Sequence, residues 1–440
     1  MSKEISPNNK IIDFFKLQLF FLSKHFQILI IAIFIGIMCG FMMVLFNYLL
    51  MLFELGFSFI PYYFISPVIA GASTSLLVKY GKFSKVLGNG ANEFIEETTT
   101  PVKHYNRASS LLAKSMATSW TFGSGMICGI EDPGILIGAN IGHLISEKFG
   151  LNKEEEYLFM GASGCTGAIL KAPISGALFC AELPYYNHIK YQSLLPSIIA
   201  STVAYFIFCL FFGFTPLIQT SLSSINLDWG FFITLLPFLL IFGIITGFII
   251  LIIMGLLRGF QNELKGRLEK KKRLWMAPLI GATIYSILLF FLEPFVLTNQ
   301  ELFIGQNTSS LSNITLNASD LGWLFMLIAA IMIILMIFCS IGTLNSAGII
   351  LPLMFLGALL GGVFGTLFYP TNPEIFVLIG ISAVLGAATN NPISATIMII
   401  EMTWVPFLFI PAGITSIITY IFSGPSSILF GQRSVRIKLK

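Results

Sequence analysis

Long uninterrupted apolar runs dominate the pattern of this chain. Phe26 to Phe53 carries no charged residue, nor does Trp229 to Leu257 or Leu321 to Pro373. Each exceeds the roughly 20 apolar residues that cross a hydrocarbon core as a helix. Between them lie shorter apolar runs broken by Gly, Pro and small polar residues, such as GASGCTGAILKAPISGALF at 161–179. Interrupted backbone at membrane depth is tolerated only where it packs inside protein or lines a cavity. The pattern therefore predicts an all-α polytopic membrane protein built from many short, tilted, discontinuous helices. Residues 1–25 read as a polar tail and a surface helix, with IIDFFKLQLFFLSKHF able to lie on the membrane face. The transmembrane part is expected over 26–432, with 433–440 as a second tail. The loop at 293–320, acidic and rich in Asn, Ser and Thr, reads as external.

The chain also repeats itself. At a fixed offset of 219, residues 129–182 align with 348–401 without a gap, matching Gly129 to Gly348, Pro133 to Pro352, Gly161 to Gly380, Pro173 to Pro392, Ser175 to Ser394 and Glu182 to Glu401. Apolar bias alone does not bring Gly, Pro and Glu into one register. A second correspondence, FIGIMCGFMMVLF near the start with IFGIITGFIILII at 241–253, supports repeats over about 26–215 and 225–432.

Charge placement gives the repeats their direction. Lys3, Lys10, Lys16 and Lys24 open the chain, seven Lys and Arg lie in 258–273, and Arg433, Arg436, Lys438 and Lys440 close it. No Lys or Arg lies between Arg273 and Arg433. The positive-inside rule then predicts cytoplasmic termini and a cytoplasmic 258–273 loop. The first apolar run leaves the cytoplasm and its counterpart returns to it. Equivalent helices of opposite sense mean inverted-topology repeats, with a binding site at their interface near the midplane.

Composition agrees. Hydrophobic residues make up 56% and charged residues 10% of the 440, and mean hydropathy is +0.87. Soluble domains carry about a quarter charged residues. The six cysteines sit in apolar segments without metal-ligand spacing, and the four histidines are scattered. No disulfide framework, metal, cofactor or nucleic-acid partner is expected. No phosphate-binding loop, HExxH motif or nucleophile elbow appears, so the sequence does not read as an enzyme.

Three Gly-containing junctions open apolar helices: Gly88-Asn89-Gly90-Ala91-Asn92-Glu93, Gly129-Ile130-Glu131-Asp132-Pro133-Gly134 and Ala347-Gly348-Ile349-Ile350-Leu351-Pro352. Each can aim unpaired N–H groups and a positive helix end at one interior point, a site for an anion without a buried basic side chain. Glu131 is an ionisable group in an apolar block, a functional candidate by default. Its carboxylate can occupy the anion's own position and leave when protonated or displaced. Asp132 is expected to cap the helix with Pro133 following; as the functional acid it is the alternative. Glu182 and Glu401 end buried-looking helices and read as structural carboxylates bonded to backbone or to a hydroxyl such as Thr403. Lys171, alone in an apolar block, is expected to snorkel to the inner surface.

The same junctions resemble the three anion-site motifs of the CLC family of chloride channels and chloride/proton exchangers, usually written G-S-G-I-P, G-R-E-G-P and G-x-F-x-P. GANIGHL and IIEMTW also look like family sequence, and the resemblance covers roughly 28–432. It implies anion contacts at Gly88, Asn89, Gly90, Ile130, Asp132, Gly348, Ile349 and Ile350, a gating, proton-accepting role for Glu131, and a homodimer with one pore per subunit. Departures stand at the motif serine (Asn89), arginine (Ile130), second glycine (Asp132) and aromatic (Ile350). The C-terminal pore tyrosine falls on Ser427 or Leu429. An inner proton-relay glutamate common in exchangers falls on Leu183, beside Glu182. The expected function is transport of chloride or a similar small anion, coupled to protons. The alternatives are a passive channel gated by Glu131, a fluoride- or nitrate-selective transporter, or a transport-dead scaffold. The expected setting is the lipid bilayer of a bacterial inner membrane.

Overall fold

The computed structural model describes residues 7–81, 83–99, 107–151, 154–186, 188–222, 229–292, 308–425, 427, 429 and 431–434. In the first half the helices are α1 (Pro7–Ser58), α2 (Ser66–Gly81), α3 (Ala91–Thr99), α4 (Arg107–Gly123), α5 (Glu131–Lys148), α6 (Glu154–Ile169), α7 (Pro173–Glu182) and α8 (Tyr191–Phe212). In the second half they are α9 (Trp229–Lys270), α10 (Ala277–Phe291), α11 (Thr308–Leu316), α12 (Ala318–Leu321), α13 (Trp323–Ser340), α14 (Ile350–Phe368), α15 (Pro373–Thr389), α16 (Pro392–Thr403) and α17 (Phe409–Ser423). Two-residue strands, β1 (Tyr185–Tyr186) and β2 (Arg433–Ser434), pair in parallel. Seven helices among the described residues are long and apolar enough to cross a bilayer. The short, interrupted helices expected from the sequence are α3, α7 and α16. Most of 293–320 and the tail from 435 onward fall outside the described residues.

The expected separation of a surface helix from the first span is absent from Pro7 onward, since α1 is one helix of 52 residues. Pro7 suits a first helical position, and neither Gly nor Pro interrupts the chain until Gly36. At 1.5 Å per residue α1 is about 78 Å long, far more than a hydrocarbon core of about 30 Å. α9, with 42 residues, also overshoots, and its excess is the basic run at 258–270.

Glycines at equivalent positions set the packing in both repeats. α5 crosses α6 where Gly138 faces Gly161, and α14 crosses α15 where Gly357 faces Gly380, each 219 residues on; a Cβ at any of these would strike the opposing backbone. Gly36 and Gly40 of α1 lie against Ala200 and Ala204 of α8, as Gly243 and Gly247 of α9 lie against Thr415 and Thr419 of α17. Helices that gain no hydrophobic drive from a lipid surrounding associate through such close backbone approach. The innermost helices, α14 and α15, are apolar on every side and almost wholly buried.

The relative sense of the repeats follows from two contacts. Lys79, near the end of α2, stacks 4.3 Å over the Trp275 ring just beyond α9. β1, which precedes α8, pairs with β2, which follows α17. The start of α1, the end of α9 and the chain near Arg433 therefore share one face, and α1 and α9 cross in opposite directions. The architecture is that of inverted-topology repeats.

Candidate functional site

Three helices begin at one interior point. The Gly129 N–H donates to the Gly348 carbonyl (2.7 Å) and the Gly348 N–H to the Gly129 carbonyl (2.8 Å), an isolated antiparallel bridge. α5 and α14 each start two residues later, preceded by Ile130 and Ile349. α3 joins them because Gly90, at φ +102°, lays its backbone on Asp132 and Pro133; a Cβ there would lie 2.7 Å from the Asp132 carbonyl oxygen. Gly88 ties the same turn to the approach of α14 through its N–H on the Leu344 carbonyl (3.1 Å). All eight backbone positions read from the motifs are brought together.

The side chains divide the site between them. Asn89 accepts the Asn92 N–H on Oδ1 (3.2 Å). Glu93 reaches back to the Gly90 N–H (2.9 Å) in a capping-box contact. The Glu131 carboxylate lies among the N–H groups of Ile130, Glu131 and Leu351, is 3% exposed, and its Oε2 has no hydrogen-bond partner.

Asp132 departs from expectation. α5 has no side-chain cap, and Asp132 does not cap its own helix. Its Oδ2 crosses to α14 and accepts the Ile349 N–H at 2.5 Å and the Ile350 N–H at 3.4 Å. The reason is the head-to-head bridge, which leaves the free amides of α14 nearer to Asp132 than those of α5.

A buried cation that the sequence reading passed over stands behind this group. Lys114 of α4 is fully buried, donates to the carbonyls of Gly88 (2.6 Å) and Val86 (3.1 Å), and interacts electrostatically with Glu93 and Asp132. Its signal in the sequence was a lone Lys in the mostly small and polar helix RASSLLAKSMATSWTFG, which gives no apolar stripe to mark it as buried. Beside it, Arg107 pairs with Glu97 (2.7 Å) and Asn140 (3.2 Å), joining α4, α3 and α5.

A cavity of about 440 Å³ leads to the site from the face opposite the basic one. Ile130, Glu131 and Leu351 form part of its wall, with Asn47, Gln219, Ser312 and Lys171. Lys171 thus lies toward the face opposite the basic one, the basic face being the one the sequence expects to be inner. Its ammonium donates to the Gly213 carbonyl (2.9 Å) and the Thr215 hydroxyl (3.2 Å) beyond the end of α8.

Comparison with known proteins decides the family. The model of the voltage gated chloride channel family matches residues 8–150 and 70–424. This chain belongs to that family. The H(+)/Cl(-) exchange transporter ClcA of Vibrio cholerae is 27% identical over 319 residues, 68% of this chain and 64% of that protein. The Klebsiella pneumoniae ClcA is 28% identical over 313 residues, 67% and 62% of the two chains. The chain thus spans a little under two thirds of the length of these curated relatives. Among solved structures, a slow cyanobacterial Cl-/H+ antiporter superposes with a TM-score of 0.75 at 20% identity, covering 90% of this chain and 94% of its own. A CLC-type fluoride/proton antiporter gives 0.74 at 20% identity, covering 94% and 99%.

The CLC fold places the remaining candidates away from the bridge. Glu182, at the end of α7, accepts the Ser394 hydroxyl and N–H at the start of α16. Glu401, at the end of α16, accepts the Ile174 N–H (3.0 Å), the Ser175 N–H (2.7 Å) and the Ser175 hydroxyl (2.7 Å) at the start of α7. Each carboxylate caps the equivalent helix of the other repeat, through backbone and serine. Thr403 takes no part, its hydroxyl bonding to the Ile399 carbonyl. Leu183 is buried, its carbonyl accepting Gln432 Nε2 (3.0 Å). Ser427 donates to the Ala388 carbonyl (3.2 Å) and accepts the Leu429 N–H (3.0 Å).

Proposed function

We propose that this CLC protein moves a small inorganic anion, chloride foremost, across a membrane in exchange for protons. The observation that carries the reading is Glu131, a carboxylate buried where three helix N-termini meet and forming the wall of an open cavity. Backbone N–H groups and helix dipoles there hold an anion without binding it so tightly that it cannot leave. A displaced carboxylate takes a proton, which couples the two fluxes. Gly88, Asn89, Gly90, Ile130, Gly348, Ile349 and Ile350 form the anion's surroundings in this scheme, and Asp132 stands among them. The relatives named as exchange transporters support proton coupling, and the likeness to an antiporter for fluoride keeps that anion in view.

A passive channel is the second reading, favoured by the apolar Leu183 where an exchanger's inner relay glutamate is expected. The basic face is cytoplasmic by the positive-inside rule. The protein works as a homodimer in the inner membrane of a bacterium, each subunit with its own pore, paired through exposed apolar residues such as Leu195, Phe206 and Leu210 of α8. Purified protein in proteoliposomes under a chloride gradient tests the reading. Uphill proton movement driven by the anion supports exchange, anion flux without it supports a channel, and no flux of chloride, fluoride or nitrate overturns the proposal.

A further inference from the structure

The amide pair at the start of α14 already holds an anion of the protein's own. Asp132 Oδ2 lies on the N–H groups of Ile349 and Ile350, while Oδ1 has no partner and the residue is 1% exposed. A carboxylate buried with one oxygen unpartnered costs free energy unless something else uses that position. Its surroundings are Lys114 from α4, Glu93 from α3 and, on α5 itself, Glu131; α14 contributes only apolar side chains. Glu131 faces the cavity and lies near Leu351 N–H, whereas Asp132 is deeper, on the next amides of the same helix end and absent from the cavity wall.

We propose that the Asp132 carboxylate is a tethered anion seated in the transport path, where it competes with the transported ion and forms a second gate in series with Glu131. The inference rests on the anion-transport reading. A tethered competitor is present at high effective concentration, so the apparent affinity for a free anion is its intrinsic affinity multiplied by the fraction of molecules whose amides are vacant. Protonation removes the charge that holds the carboxylate on the amides and frees them. A single gate at Glu131 leaves no pH dependence once that residue is neutralised; two gates leave the share due to Asp132.

The test is calorimetric binding of chloride and of fluoride to purified protein in detergent, across acid to neutral pH, in four forms: wild type, Glu131→Gln, Glu131→Gln with Asp132→Asn, and Asp132→Gly. Monodispersity on gel filtration reports folding, and the isosteric Asp132→Asn serves where the glycine variant fails to fold. The expected result is about tenfold tighter binding on neutralising or removing Asp132, with pH dependence that persists in Glu131→Gln and disappears in the double variant. Affinity and pH dependence unchanged by both Asp132 variants would overturn the second gate while leaving transport intact. Binding of neither anion by any of the four folded forms would overturn the transport reading and this inference with it.

Discussion

Gly129 and Gly348 hold each other through both of their backbone hydrogen bonds, at 2.7 and 2.8 Å, across a separation of 219 residues. Residues that are equivalent in the two repeats and bonded reciprocally must lie on the axis that relates them. The axis therefore passes between the starts of α5 and α14, and both positive helix ends face it. The glycine bridge itself turns both helix starts toward one point. What the chain varies is the group placed there: Glu131 and Asp132 on one repeat, Ile350 and Leu351 on the other.

Substitution of Glu131 tests the proposed mechanism. Glu131→Gln copies the protonated state and Glu131→Ala removes the group. In an exchanger both variants are expected to lose proton movement while anion flux continues, passive and nearly independent of pH outside the share carried by Asp132. In a channel, wild type shows no uphill proton movement and the variants only flatten the pH dependence of opening. Simultaneous anion and proton recording from proteoliposomes separates these outcomes, and proton transport surviving Glu131→Ala would remove Glu131 from the mechanism.

Asn89 holds the turn before α3 and is proposed to face the anion, and substitution can separate the two. Asn89→Ser keeps an oxygen for the Asn92 N–H and exchanges the amide donors for one hydroxyl. Selectivity among chloride, nitrate and fluoride should shift severalfold with little change in stability. Asn89→Ala loses the turn contact as well, a cost of about 1 kcal/mol. Permeability ratios identical to wild type in both variants would place Asn89 outside the path.

Glu182 and Glu401 predict a stability effect in place of a coupling effect. Each accepts hydrogen bonds at the N-terminus of the partner repeat's helix, and bonds to a charged group contribute about 1.5–3 kcal/mol. Glu182→Gln and Glu401→Gln should each lower the melting temperature in detergent. Anion-driven proton uptake should remain in Glu182→Gln. Its abolition, with the protein still folded, would make Glu182 part of the proton route.

Lys171 occupies a left-handed backbone position (φ +49°), and its equivalent in the second repeat is Asn390 (φ +61°). Asn tolerates that conformation better than Lys, so Lys171→Asn should hold or raise stability. The loss of a cation from the cavity wall should slow anion flux severalfold at low ionic strength. Added impermeant salt should narrow the difference, because screening removes long-range attraction. Equal rates at every ionic strength would show that the ammonium only ties down residues 213–215.

Gly161 tests the helix crossing. Its missing Cβ lets α6 meet α5 at Gly138, and a side chain there would overlap the Gly138 carbonyl. Gly161→Val and its counterpart Gly380→Val should both destabilise severely, by more than the 1–3 kcal/mol typical of overpacking, because backbone has to move. Fluorescence-detected gel filtration should show aggregated protein for both; a monodisperse peak for either would mean that the crossing can open.

The sequence by itself determined the membrane setting, the two repeats and their opposite sense, because hydropathy, residue register and charge placement are properties of the chain read in order. It also marked the three junctions, since helix starts carry local Gly and Pro signals. What it left undecided was where charged side chains find partners. Asp132 looked like a cap for the helix it begins, and only the meeting of α5 and α14 brings the amides of Ile349 and Ile350 closer. Lys114 sits in a small, polar helix and became a buried counter-ion only when α4 packed behind α3. Lys171 meets the chain beyond the end of α8, a placement its sequence does not foretell, because a single charge says nothing about which end of its helix reaches which surface. Local signals fix where helices start; the partners of a buried charge lie on other elements of the fold, and only packing chooses them.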